Sequence, residues 1–143
     1  MVVKQIALFL ENKKGRLAHV CRVLGAEGIN IRALSLADTT DFGVLRLIVN
    51  NPEKADRVLK EHKFTVSMTD VLAMEVSDAP GGLAGALEKL DEAGVDVEYM
   101  YAFLGTTGEN ALVIIRVEQP EEAMKVIRQA GINILEGEQV YSL

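Results

Sequence analysis

Two short segments of this sequence carry the residue types from which a site for a small charged molecule is built. One reads Asn12-Lys13-Lys14-Gly15-Arg16-Leu17 and the other Asp78-Ala79-Pro80-Gly81-Gly82-Leu83. Each follows an apolar run and opens a helical pattern. A helix N-terminus exposes unpaired N–H groups and a partial positive charge, which suits a carboxylate. Glycine at that point lets the backbone approach a ligand closely and adopt positive φ. Further along stand Gly28-Ile29-Asn30-Ile31 and Gly94-Val95-Asp96-Val97. Asn30 can donate or accept, whereas ionised Asp96 only accepts. The two loops suit a small molecule that carries a carboxylate. The first loop brings Lys13, Lys14 and Arg16; the second brings only Asp78. Charge therefore favours a carboxylate near Gly15.

Other reactive residues read as structure. Cys21 lies on an apolar helical stripe and is expected in the core. His19 and His62 suit surface or cap roles. Met68, Met74, Met100 and Met124 read as gap-fillers. Tyr99, Tyr101 and Phe103 alternate along a strand and share one face. The acid pairs Asp91-Glu92 and Glu121-Glu122 read as solvated helix faces. Two histidines and one cysteine do not make a zinc site without several carboxylates. No metal, cofactor or catalytic grouping is expected. Net charge is −6 over 143 residues, which argues against nucleic acid as a partner. The longest apolar runs, Val71–Met74 and Ala111–Ile115, are too short to span a bilayer. The N-terminus lacks the apolar region of a signal peptide, and a lone cysteine fits the cytoplasm.

An internal repeat organises the chain. With Gly15 over Gly81, an offset of 66, Leu17 falls on Leu83, Ala18 on Ala84, Leu24 on Leu90 and Gly28 on Gly94. After a two-residue insertion the offset is 68, and Pro52, Glu53, Ala55 and Val58 meet Pro120, Glu121, Ala123 and Val126. Each half reads strand–helix–strand–strand–helix–strand, with boundaries at 1–70 and 71–143.

In the first half, strands are expected at Val3–Leu10, Ile29–Ala37 and Phe42–Val49. A helix stripe runs Leu17, Val20, Cys21, Leu24, and Gly28 sits where a left-handed cap is common. The run Asp38-Thr39-Thr40-Asp41 is a turn. Pro52 opens the second helix, whose inner face is Ala55, Val58, Leu59 and His62. Phe64–Ser77 reads as two strands with at most a kink between them. In the second half, strands are expected at Val95–Leu104, Asn110–Glu118 and Ile132–Val140, with helices from Gly82 to Glu92 and Pro120 to Ala130. The order βαββαβ implies an α+β fold: two tandem ferredoxin-like modules, each an antiparallel sheet with both helices on one face.

These residues resemble the ACT domain, a regulatory module of amino-acid metabolic enzymes. Its pattern is roughly Asp-x-Pro-Gly-x-Leu at the loop and Gly-Ile-Asn-Ile at the second strand. Asp78, Pro80, Gly81 and Leu83 match the loop, and Gly28, Ile29, Asn30 and Ile31 match the strand. The first repeat departs at the loop with Asn12 and Lys14; the second departs at the strand with Val95, Asp96 and Val97. The resemblance implies a non-catalytic protein that binds a free amino acid, with modules paired side by side into an eight-stranded sheet. Ligands would sit where one module's loop meets its neighbour's strand, the carboxylate near Gly15 and the ammonium toward Asp96 and the Val97 backbone, each charge keeping a partner on leaving water. Two marginal modules with open sheet edges also point to a homodimer, and the resemblance to an amino-acid metabolic enzyme as partner. Two rivals stand beside this reading. One is an acylphosphatase-like hydrolase using Arg16 and Asn30. The other is an interaction subunit without ligand.

Overall fold

In the computed structural model of the chain, residues 2–38, 41–103 and 110–143 are described. They form two compact units: Lys4–Thr69, and Asp70–Leu143 together with Met1–Val3. The first module contains β1 (Val3–Glu11), α1 (Arg16–Ala26), β2 (Ile31–Asp38), β3 (Phe42–Val49), α2 (Pro52–Glu61) and the start of β4 (Thr65–Ser77). The second contains the rest of β4, then α3 (Gly82–Glu92), β5 (Val97–Ala102), β6 (Asn110–Val117), α4 (Pro120–Gln129), β7 (Ile134–Leu135) and α5 (Gly137–Tyr141). The α+β class and antiparallel pairing expected from the sequence are present. Strand order is β2-β3-β1-β4 in the first module and β5-β6-β4-β7 in the second.

Two periodicities build each core. In the first module Ile6, Leu8 and Leu10 alternate along β1, and Leu45, Leu47 and Val49 along β3, all toward one sheet face. Helix α1 meets them with Val20, Val23 and Leu24, and α2 with Ala55, Val58 and Leu59. In the second module Leu72, Met74 and Val76 of β4 meet Ala86 and Leu90 of α3 and Ala123, Met124 and Ile127 of α4. Both helices of each module thus cover one face of its strands.

The ends of the elements follow from local chemistry. Gly28 is left-handed (φ 71°), and the Ile29 amide turns back to the Leu24 carbonyl at 3.0 Å. Strand β2 therefore starts at Ile31 rather than Ile29. Val95 does the same toward Leu90 at 2.9 Å, so β5 starts at Val97. Pro52 and Pro120 are the first residues of their helices. Asn51 caps α2 by accepting from the Lys54 amide at 3.2 Å. Asn51→Ala is expected to cost about 1 kcal/mol, measurable as a lower urea midpoint with an unchanged slope.

Some expectations are corrected. The strand Ile132–Val140 shrinks to Ile134–Leu135, followed by helix α5. A capping box causes this: Glu136 and Gln139 exchange side-chain and backbone hydrogen bonds and nucleate a turn of helix. Cys21 is exposed and Leu17 is 38% exposed. The inward stripe of α1 is instead Val20, Val23 and Leu24. His62 is exposed and ends α2 as its C-cap, its Nδ1 lying 2.9 Å from the Val58 carbonyl. Met68 is 39% exposed, whereas Met74 is fully buried. The stretch expected as two strands is the single strand β4. Thr39, Thr40 and Leu104, which fall in an expected turn and strand, lie outside the described residues.

Candidate functional site

Strand β1 delivers the first loop and β4 the second. In both, the chain reaches a glycine in the left-handed region, Gly15 at φ 86° and Gly81 at φ 84°, and each glycine is the N-cap of the next helix. Neither helix has a side-chain cap, so first-turn amides are left for a ligand or water. The turn before each glycine is closed by a matching bond: Arg16 N–H to the Lys13 carbonyl at 3.3 Å, Gly82 N–H to the Ala79 carbonyl at 2.9 Å. Asn12, Lys14, Asp78, Pro80 and Gly81 are exposed, and Leu83 is 41% exposed. The two loops are geometric copies.

Their electrostatics differ from the expectation. Glu11, which lies outside the loop motif, takes the Lys13 ammonium at 2.8 Å, with the Arg16 guanidinium at 3.9 Å. The Lys13 hydrogen bond and charge hold the Glu11 carboxyl below the ordinary glutamate range, with a smaller pull from Arg16. The cationic field of the first loop is therefore partly neutralised by its own carboxylate. A depressed carboxyl contributes stability above its unfolded pKa and loses it as pH falls through the folded one. At this exposed site the contribution is small. An NMR titration should find Glu11 protonating below the ordinary glutamate value, and Lys13→Ala should move it upward. A normal Glu11 titration in the parent protein would exclude the pairing.

The strand starts lie elsewhere. Glu11 pairs with Phe42 and Ile31 with Val49, so loop and strand start face opposite ends of β3. The seven intervening steps span about 24 Å. In the second module Ser77 pairs with Asn110 and Val97 with Val117, giving the same separation. No module therefore brings Gly15 near Asn30, or Gly81 near Asp96. The same spacing parts Arg16 from Asn30, so the pair required for the hydrolase reading is not assembled within the module.

At the far end, Asn30 is tied in place: its amide donates to Asn50 Oδ1 at 2.9 Å, and its carbonyl accepts from the Asn50 amide at 3.1 Å. Lys54 Nζ donates to the Glu27 carbonyl at 2.7 Å. The corresponding end of the second module is an open hollow of about 310 Å³, with Asp96, Glu118 and Glu122 on its rim. Among the described residues, no group of three His, Cys, Asp or Glu is placed to hold a metal ion, and no helix is long and apolar enough to cross a membrane.

Each of the two βαββαβ modules thus carries a left-handed glycine that opens a helix without a side-chain cap. The family model for the ACT domain pair matches residues 1–143. The chain belongs to the ACT domain pair family, whose modules are regulatory and ligand-binding rather than catalytic. A solved structure of a Bacteroides thetaiotaomicron protein is 40% identical, with a TM-score of 0.92, covering 100% of this chain and 98% of that one. The ligand-free regulatory subunit of aspartate kinase from Thermus thermophilus is 19% identical, with a TM-score of 0.66, covering 90% of this chain and 93% of its own. The corresponding subunit from Thermus flavus is 16% identical, with a TM-score of 0.63, covering 92% and 94%. No curated protein sequence matches the chain.

Proposed function

We propose that this protein is a non-catalytic regulator that binds a free amino acid and passes the signal to an amino-acid metabolic enzyme, in the cytoplasm. The observation that carries the reading is the duplicated loop. Two left-handed glycines with φ 86° and 84° open two uncapped helices. Two further features support it. Within each module the loop and the strand start lie about 24 Å apart, so a site using both needs a second module. Among the described residues, strand β2 pairs with β3 alone, and Leu34 is 37% and Leu36 49% exposed, which suits a homodimer. The Thermus structures above are regulatory subunits of aspartate kinase, and we extend an enzyme partner of that kind to this chain.

The proposed ligand contacts are Asn12, Lys14, Gly15, Arg16 and Leu17 of the first loop, and Asp78, Pro80, Gly81, Gly82 and Leu83 of the second. Asn30, Ile31, Asp96 and Val97 complete them from other modules. A screen of the twenty amino acids by thermal shift at millimolar concentration tests the reading. A ligand at 100 times its dissociation constant stabilises by about 2.7 kcal/mol. The absence of any shift would sink it. Gly15→Val and Gly81→Val then ask which loop works. Their φ values are alike, so their strain is alike, and calorimetry reports the difference in binding alone. Glu11 pairs with Lys13 and Arg16 and offsets only part of the positive charge of the first loop, so the larger loss is expected for Gly15→Val. Sedimentation at micromolar concentration should show more than the 15.6 kDa chain.

An interaction role without ligand draws support from Phe9 and Phe42, which are 57% and 53% exposed. They lie on the strand face away from the helices, beside Val44 and Glu11 in the β1–β3 register.

A further inference from the structure

The two modules differ where the end of the first helix meets the start of the second. In the first module Lys54 stands in the opening turn of α2, and its side chain crosses to the end of α1. There Nζ donates to the Glu27 carbonyl at 2.7 Å, and Glu27 is the C-cap of α1. An ammonium at that point meets the negative end of the helix dipole and a carbonyl that has no intrahelical donor. Offsets of 66 and 68 put Ala93 in the position of Glu27 and Glu122 in that of Lys54. Ala93 is likewise the C-cap of its helix, α3. An ionised glutamate has no proton to donate, so the second module keeps the acceptor and lacks the ammonium. Among the described residues, no donor reaches the Ala93 carbonyl. The place is the open hollow of about 310 Å³, walled by Ala93, Val95, Val117, Ala123 and Val126 and rimmed by Glu122.

We infer that this hollow takes a primary alkylammonium from outside the chain, in the position that Lys54 fills in the first module. The inference goes beyond the amino-acid reading above and does not depend on it. Lys54 shows what the acceptor at the helix end holds: an ammonium on a flexible methylene stem. Valine and alanine walls suit such a stem, and the volume lies in the range of small-molecule pockets. Where the first module has the positive charge of Lys54, the second presents the carboxylate of Glu122, so its field draws a cation in. The same field turns away the carboxylate of a simple amino acid, which separates this ligand from the one proposed for the glycine loops. A free amine and a lysine side chain of a partner protein present the same group.

The test uses the full chain, isotope-labelled for NMR, with three probes at millimolar concentration: cadaverine, a lysine blocked at both backbone ends, and alanine. The amide signals of Gly94, Val95 and Ala123 should move with either amine and stay in place with alanine. Their counterparts Gly28, Ile29 and Ala55 should not move, because Lys54 already occupies the first module's acceptor. Glu122→Lys, which copies the first module, should abolish the response. Glu122→Gln should weaken binding about threefold, the scale of one exposed charge. Tighter binding of the blocked lysine than of cadaverine assigns the site to a protein side chain, and the reverse order assigns it to a free amine. Signals that stay still with both amines overturn the inference. So do shifts of equal size in the two modules, or shifts that persist undiminished in Glu122→Lys. The amino-acid reading stands or falls separately, since its thermal-shift screen reads the glycine loops.

Discussion

Gly82→Ala is expected to destabilise the second module by about 3 kcal/mol, at the upper end for overpacking. The reason is specific to this glycine. A Cβ placed on it runs into the backbone carbonyl of Ser77, with the Ser77 Cβ 3.2 Å away. Ser77 ends β4 and is paired with Asn110, so the carbonyl cannot retreat without displacing the strand end. Three residues on, Gly85→Ala should do the opposite. It sits in a helix interior with open space around it, and alanine gains about 1 kcal/mol over glycine there. Two glycines on one helix should therefore respond with opposite signs in urea denaturation. Equal midpoints would mean that α3 does not approach Ser77 so closely.

Leu47→Ala should cost about 4 kcal/mol, within the usual range for a buried leucine. Leu47 is fully buried. It lies between Ile6 on β1 and Leu34 on β2, on the face covered by α1 and α2. Its removal leaves a cavity that rigid strands on both sides cannot close. Leu36→Ala, on the same face one strand over but 49% exposed, should change stability by no more than about 0.5 kcal/mol. The same truncation at two positions thus separates burial from residue type. Similar losses at both would mean that the register of β2 on β3 is different.

Much of the fold is legible in the sequence because glycine and proline act through the backbone. Gly15 and Gly81 are the left-handed N-caps, and Pro52 and Pro120 open helices, as their chemistry requires. The face of α1 is not legible. Apolar residues at 17, 20, 21, 23 and 24 cover a wide arc, and only the docked helix selects Val20, Val23 and Leu24 over Leu17 and Cys21. Segment 136–141 reads as strand when Ile132, Ile134 and Val140 are counted by parity, and the Glu136–Gln139 capping box overrides that count. The cations of the first loop suggest a free positive field, and Glu11, outside the motif, redirects two of them.

The second module also depends on residues from the other end of the chain. Val2 is buried in its core beside Leu72 and Ile134, and a Cβ on Gly137 would sit 3.0 Å from the Val2 carbonyl. A fragment cut at 71–143 would lack that plug and should expose Leu72 and Ile132 to water. Joining Val2 to Gly137 closes a loop of 135 residues, and loop entropy must be met before such a contact forms. As the chain leaves the ribosome, Val2 waits until Gly137 has emerged. The Lys4–Thr69 unit has all of its own residues once Thr69 is out. Vectorial synthesis should therefore complete the two copies in sequence order, with a long delay before the second closes on its N-terminal plug.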